Sequence, residues 1–319
     1  MGDTGVNRNA PPREALPGVF VCADPADVAR TAARRFVEWA WQAIARDGNF
    51  FVALSGGSTP RELYRLLASS EYRTQVDWPR VHLFWGDERA VPPDDPASNY
   101  GMARRELLLR VPIPPNNVHR MEAEDPNIGR AAHHYETILR KYLEVDDRGF
   151  PIFHLVLLGI GPEGHTASLF PGSRLLRETS RWVSTPLVAK LGMRRMTLTL
   201  PVLEAARRIL FLAAGKEKAA ILHTVLCEHP APPLPAQLVQ PRHGERIFLI
   251  DEEAAALLGP GSADKGSKGV LEGGAPAAEP ARNPRGPVAG GARAVSASPS
   301  RKGEKPELPE PPAGNKSGT

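Results

Sequence analysis

Short apolar runs alternate with amphipathic stretches through the middle of this chain, and that alternation restricts the fold more than any other feature. Phe50–Leu54, Val81–Trp85 and Phe153–Leu158 have the length and composition of buried strands. Met196–Thr199, Arg208–Ala213 and Arg246–Ile250 read as later strands. Asp24–Arg46 reads as a long amphipathic helix, with Val28, Phe36, Trp39, Ala43 and Ile44 on its apolar stripe. Asp24-Pro25 is its start signal and Asp47-Gly48 its stop. Further helices are predicted over Pro60–Ala68, Asn99–Leu109, Gly129–Leu143, Lys216–Cys227 and Glu252–Leu258. The alternation predicts an α/β fold with a mostly parallel sheet flanked by helices. No internal repeat is visible.

The pattern stops at Leu258. Gly259–Thr319 holds 12 Gly and 10 Pro in 61 residues, has no aromatic and has few aliphatics larger than Ala. Such a segment cannot bury enough surface to offset its chain entropy, so residues 259–319 are expected to be a disordered Gly/Pro-rich tail. Residues 1–18, with Pro11, Pro12 and Pro17, are expected to be a flexible N-terminus. That leaves 19–258 as one α/β domain. The formal charge is only +4, and most of the excess lies in the tail, so nucleic-acid binding is not expected. No apolar run reaches the roughly 18–20 residues a membrane helix needs. Met1–Gly18 contains no hydrophobic signal core. Cys22 and Cys227 cannot build a disulfide framework, and CxxC or Cys/His metal spacings are absent. A cytoplasmic protein without a membrane or metal partner is the expectation.

Polar, Gly-rich segments follow the strands, where ligands bind in open α/β sheets. The first is Leu54-Ser55-Gly56-Gly57-Ser58-Thr59-Pro60, between a strand and a helix. Its glycines allow close backbone approach to an anion, and its hydroxyls and the following helix N-terminus favour phosphate. Neither the P-loop nor the dinucleotide pattern is present. The second is Trp85-Gly86-Asp87-Glu88-Arg89 with Ser98-Asn99-Tyr100. It reads either as a substrate clamp or as a surface ion-pair cluster with a helix cap. The third, Gly159–Gly172, sets His165 in a glycine-rich loop beyond the most apolar strand, with Glu163 two residues before it. Imidazole is the side chain best matched to general-base work near neutral pH. Gly215-Lys216-Glu217-Lys218-Ala219 opens a helix after a strand, and Arg194-Arg195 precedes one. Either basic group suits a phosphate or an oxyanion, and either also suits a solvated surface. The other histidines, including the His133-His134 pair, offer no metal spacing.

Taken together, LSGGSTP at 54–60, WGDER at 85–89, SNY at 98–100, GHTASLFPG at 164–172, RMTLTLP at 195–201 and GKEKA at 215–219 resemble the 6-phosphogluconolactonases. The resemblance runs in order from about Phe20 to Leu258. It implies a modified Rossmann-like α/β fold without a nucleotide cofactor. It implies hydrolysis of a small sugar-phosphate lactone, 6-phospho-D-glucono-1,5-lactone, in the oxidative pentose phosphate pathway. It also implies His165 as the general base with Glu163 beside it. Ser55, Gly56, Gly57, Ser58, Thr59, Asp87, Arg89, Asn99, Arg195 and Lys218 would then surround the substrate. No metal or organic cofactor is implied, and a monomer or small homo-oligomer is expected.

Two positions depart from the family pattern. His154 stands where the family usually has Asp ahead of the strand hydrophobics. Glu163 stands where it usually has Asp, so the carboxylate lies one methylene further out. Two other readings compete. A glucosamine-6-phosphate deaminase carries a catalytic Glu five residues after the histidine, where this chain has Phe170. A sugar-phosphate sensing domain needs a helix-turn-helix, which neither Met1–Gly18 nor the tail supplies.

Overall fold

Parallel pairings join five of the six strands that the apolar runs announced, with Val19–Cys22 as an unannounced neighbour, while Met196–Thr199 falls in a separate antiparallel sheet. The computed structural model describes residues 11–259 except 189 and 191. The strands are β1 (Arg13–Leu16), β2 (Val19–Cys22), β3 (Phe50–Leu54), β4 (Val81–Trp85), β5 (Asp87–Arg89), β6 (Leu155–Leu158), β7 (Val183–Ser184), β8 (Leu187–Val188), β9 (Met193–Leu198), β10 (Arg208–Ala213) and β11 (Glu245–Asp251). Seven form one sheet in the order β1-β2-β11-β10-β6-β3-β4, parallel except for the β1–β2 pair. A small antiparallel sheet, β5-β9-β7 with β8 paired to β9, stands beside it. The helices are α1 (Pro25–Asp47), α2 (Ser58–Leu67), α3 (Asn99–Ala103), α4 (Ile128–Tyr142), α5 (Leu200–Glu204), α6 (Ala219–Cys227) and α7 (Pro235–Leu238). The α/β fold predicted from the alternation is the fold observed.

Local chemistry sets the element ends. The Asp24 side chain accepts the Asp27 N–H at the start of α1, and Pro25 fits its first turn. Gly48 ends α1 at φ 77°, returning its N–H to the Ile44 carbonyl. Between these caps Val28, Ala32, Phe36, Trp39 and Ala43 are buried against the sheet. Every residue of β6 is buried, as a central parallel strand requires.

Several expectations are corrected. Residues 13–16, placed in a flexible N-terminus, form edge strand β1, because Gly18 at φ 75° allows a tight turn back onto β2. β6 begins at Leu155 rather than Phe153. The His154 Nδ1 accepts the Phe51 N–H at 2.9 Å, so a side chain replaces a rung of the ladder. The helix expected to Leu109 stops at Ala103 and widens into a π-helical turn over Arg104–Leu108. The helix expected from Lys216 opens with a 3₁₀ turn, Lys216–Lys218. Glu252–Leu258 forms turns instead of a helix. Only Ala255 N–H reaches back four residues, to Asp251, and later bonds span three. The tail, residues 260–319, and residues 1–10 lie outside the described residues. Among the described residues no helix is long and apolar enough to cross a membrane.

Candidate active site

Loops from the carboxyl ends of β3, β6 and β10 meet the small sheet around a cavity of about 410 Å³. All twelve residues singled out from the sequence line it: Ser55, Gly56, Gly57, Ser58, Thr59, Asp87, Arg89, Asn99, Glu163, His165, Arg195 and Lys218. Tyr64, fully buried on α2, pins the first loop. Its hydroxyl donates to the Ser55 carbonyl at 2.7 Å and accepts the Ser55 N–H at 3.1 Å. Gly57 enters α2 at φ 109°, and no side chain caps that helix. The first-turn N–H groups of Ser58 and Thr59 therefore remain for an anion, and Pro60 has none to leave unsatisfied. Gly56 answers a different need. A Cβ there would lie 1.9 Å from the Asn99 Oδ1, so the glycine makes room for that side chain.

The Asp87-Glu88-Arg89 run divides its work by strand alternation. Glu88 points away from the cavity and is almost completely buried. It accepts the Asn99 N–H, the Tyr100 N–H and the Ser98 hydroxyl, and so seats the start of α3. Burial pushes its carboxyl above the ordinary value despite these donors. Asp87 faces the cavity floor, where it accepts Ser168 Oγ at 2.7 Å and its carbonyl accepts Asn99 Nδ2 at 2.9 Å. The surface-cluster reading of this run is thus excluded for both acids.

Arg89 and Arg195 lie directly opposite each other across the β5–β9 pair. Like charges so placed repel, and burial together with Arg89 lowers the Arg195 guanidinium from its ordinary value. Arg89 donates one nitrogen to the Ala97 carbonyl, yet the Nε of both arginines is buried without a hydrogen-bond partner. Two cations held together with buried donors unspent have the chemistry to accept an anion.

His165 lines the same cavity. Its Nδ1 lies 3.0 Å from Glu163 Oε2. Burial works to raise the Glu163 carboxyl, but its own backbone N–H, His165 and Lys190 together hold it below the ordinary value. Nδ1 and Oε2 are buried and close without the alignment of a hydrogen bond, and Nε2 is the ring nitrogen with no carboxylate beside it. The Lys218 Nζ donates to the Ile160 carbonyl at 2.9 Å, tying the loop after β10 to the loop that carries His165. That loop makes a tight turn in which Ala167 adopts φ 47°, a non-glycine residue in the left-handed region. Three contributors were missed in the sequence. Gly161 and Phe170 flank the His165 ring, and Lys190 stands at the cavity mouth with its Nζ 3.7 Å from Glu163 Oε1. No spacing rule exposes them, because each is defined by a neighbour in space.

His154 lies at the far, amino end of β6, between the Phe51 N–H and Asp47 Oδ2 at 2.9 Å. This departure from the family pattern therefore sits away from the cavity. Among the described residues no group of three or more His, Cys, Asp or Glu is placed to hold a metal ion.

Residues 23–248 match the family described as glucosamine-6-phosphate isomerases/6-phosphogluconolactonase. The chain belongs to this family. It is 40% identical over 220 residues to 6-phosphogluconolactonase of Synechocystis, a match covering 69% of this chain and 89% of that relative. It is 42% identical over 215 residues to the human 6-phosphogluconolactonase, covering 66% and 81%. The solved structure of 6-phosphogluconolactonase from Trypanosoma brucei superposes with a TM-score of 0.70 at 30% identity, covering 76% of this chain and 99% of that one. A monomeric glucosamine-6-phosphate deaminase superposes with a TM-score of 0.63 at 21% identity, a likeness of fold alone.

Proposed function

We propose that this chain hydrolyses 6-phospho-D-glucono-1,5-lactone to 6-phospho-D-gluconate, the second step of the oxidative pentose phosphate pathway. The observation that carries the reading is one cavity lined both by an imidazole with a carboxylate 3.0 Å away and by two arginines with unspent buried donors. The uncapped start of α2, Arg89 and Arg195 would hold the phosphate. Its binding energy would fix the lactone carbonyl against His165. Glu163 at Nδ1 favours the tautomer whose Nε2 lone pair can take a proton from water. The resulting hydroxide adds to the carbonyl carbon. The tetrahedral oxyanion then collapses, the ring C–O bond breaks, and the imidazolium returns its proton to the departing ring oxygen. Lys218, which lines the same cavity, would supply positive charge for the oxyanion. Loss of an amine from an amino-sugar phosphate is disfavoured, because Phe170 offers no acid–base group beside the histidine.

The test is hydrolysis of freshly generated 6-phosphogluconolactone, followed by a coupled dehydrogenase and compared with the spontaneous rate. The wild type should accelerate the reaction. His165→Asn should lower kcat by about 10²–10⁴-fold, the usual contribution of a general base. Unchanged turnover in that variant removes His165 from the mechanism, and no acceleration by the wild type removes the activity.

A further inference from the structure

We propose that Phe170 is a positioning residue: its ring and the bare Cα of Gly161 clamp the His165 imidazole from both faces and hold Nε2 toward the attacking water. The inference rests on the hydrolase reading above and adds a residue to it.

Three constraints meet on one ring. The Glu163 carboxylate lies 3.0 Å from Nδ1. A single edge contact of this kind fixes where one nitrogen is but leaves the ring free to pivot about it. On one face, a Cβ at Gly161 would fall 1.9, 2.0 and 2.7 Å from three ring atoms, so the imidazole lies flat on that glycine. On the other face, the Phe170 ring stacks with centroids 4.3 Å apart and planes 25° from parallel. Stacked rings at this separation attract, and any pivot of the imidazole costs contact on both faces at once.

The loop is built to bring Phe170 back over a residue five positions earlier. The Leu169 N–H donates to the Thr166 carbonyl at 2.9 Å, closing a tight turn. Ala167 sits in that turn at φ 47°, a left-handed conformation that a residue with a Cβ adopts only under constraint. Ser168 anchors the turn from outside, donating Oγ to the buried Asp87 carboxylate at 2.7 Å. Thr166 anchors it from inside, donating Oγ1 to the Gly159 carbonyl at 2.8 Å. Strain held by anchors on both sides, ending in a ring laid on the histidine, is the signature of positioning. Phe170 has no polar atom and takes no part in proton transfer.

The experiment compares wild type, Phe170→Leu and Phe170→Tyr on the full chain. Leucine keeps apolar bulk but removes the flat face, and tyrosine restores it. The expected result is a kcat at least about tenfold lower in Phe170→Leu, as misplacement of a reacting group produces. KM should stay within about twofold, and Phe170→Tyr should recover most of kcat. A ¹⁵N spectrum of the imidazole gives a readout independent of turnover. One Nδ1–H tautomer is expected in the wild type, with mixed or exchange-broadened signals in Phe170→Leu. If Phe170→Leu does not fold, Phe170→Met carries the same comparison. Unchanged kcat, or a raised KM at constant kcat, overturns the proposal and leaves Phe170 as cavity wall. If the wild type shows no hydrolysis, the hydrolase reading fails by itself. The ¹⁵N comparison then still decides the clamp: loss of the single tautomer in the leucine variant sustains it, and retention ends it.

Discussion

A mild fall in pH should weaken this fold through one buried imidazole far from the cavity. His119 is 7% exposed and lies between Phe84 and Tyr142, each ring centroid 4.4 Å away. Its Nε2 faces His82 Nδ1 at 3.2 Å, a hydrogen bond that exists only while at least one partner is neutral. Burial, then the like charges of His82 and Lys141, push the His119 imidazole down to about 4 from 6.5. His82 is lowered as well, by burial. A lowered histidine favours the neutral form in the fold. Its contribution is therefore whole above pH 6.5 and is lost as pH falls from there toward 4. Over that window the unfolded chain binds the proton and the folded chain does not. At pH 5 the His119 difference alone amounts to about 2 kcal/mol. For a domain of this size that is roughly 4–8 °C in Tm. The assay is thermal or urea unfolding at pH 7.5 and pH 5 for wild type and His119→Gln. Glutamine should cost about 1 kcal/mol at pH 7.5, from the lost contact with His82, but should remove about 2 kcal/mol of the acid sensitivity. Equal losses between pH 7.5 and 5 in both proteins would refute the reasoning.

Two further outcomes concern the anion wall. Arg195→Gln should raise KM for the phosphorylated lactone at least about tenfold with kcat little changed, since a charged hydrogen bond at a distant group is uniform binding. It should not lower Tm, because it also relieves repulsion with Arg89; steady-state kinetics and a melting curve check both. Gly56→Ala should drive Asn99 off Asp87 and raise KM by at least about tenfold, although Gly56 does not have a left-handed φ. A normal KM in that variant would mean that the loop tolerates a shifted Asn99.

The strands with the sharpest borders in the sequence are β3 and β4, whose apolar runs are flanked by polar, charged or glycine residues: Asn49 and Ser55 for β3, Arg80 and Gly86 for β4. β5 was invisible as a strand because Asp-Glu-Arg has no apolar residue; pairing with β9, which lies more than a hundred residues away, makes it one. The sheet order likewise depends on pairings no local pattern encodes. The cavity residues were legible because polar loops after buried strands converge in any parallel sheet. What stayed hidden was the reason for each residue. Gly56 was read as room for an anion and proves to be room for Asn99. Glu88, left out of the substrate shell in the sequence, has a role no local pattern shows: strand alternation turns it toward α3. Gly161 and Phe170 carry no motif signal, since their meaning lies in a ring that touches both.

The order of strands in the large sheet also governs when the protein can become whole. β2 leaves the ribosome early, yet its neighbours are β1 and β11, and β11 is made last among the described strands. The β1–β2 hairpin must therefore wait, unattached to the sheet, until residues 245–251 have been synthesised. The same late strand ends in Asp251, whose buried carboxylate accepts the Gly215 N–H at 3.0 Å and so fixes the turn that presents Lys218. Sheet closure and completion of the cavity are thus one late event in the life of the nascent chain. Until it happens, β10 presents an unpaired apolar edge, the state in which an α/β domain is most exposed to aggregation and to chaperones.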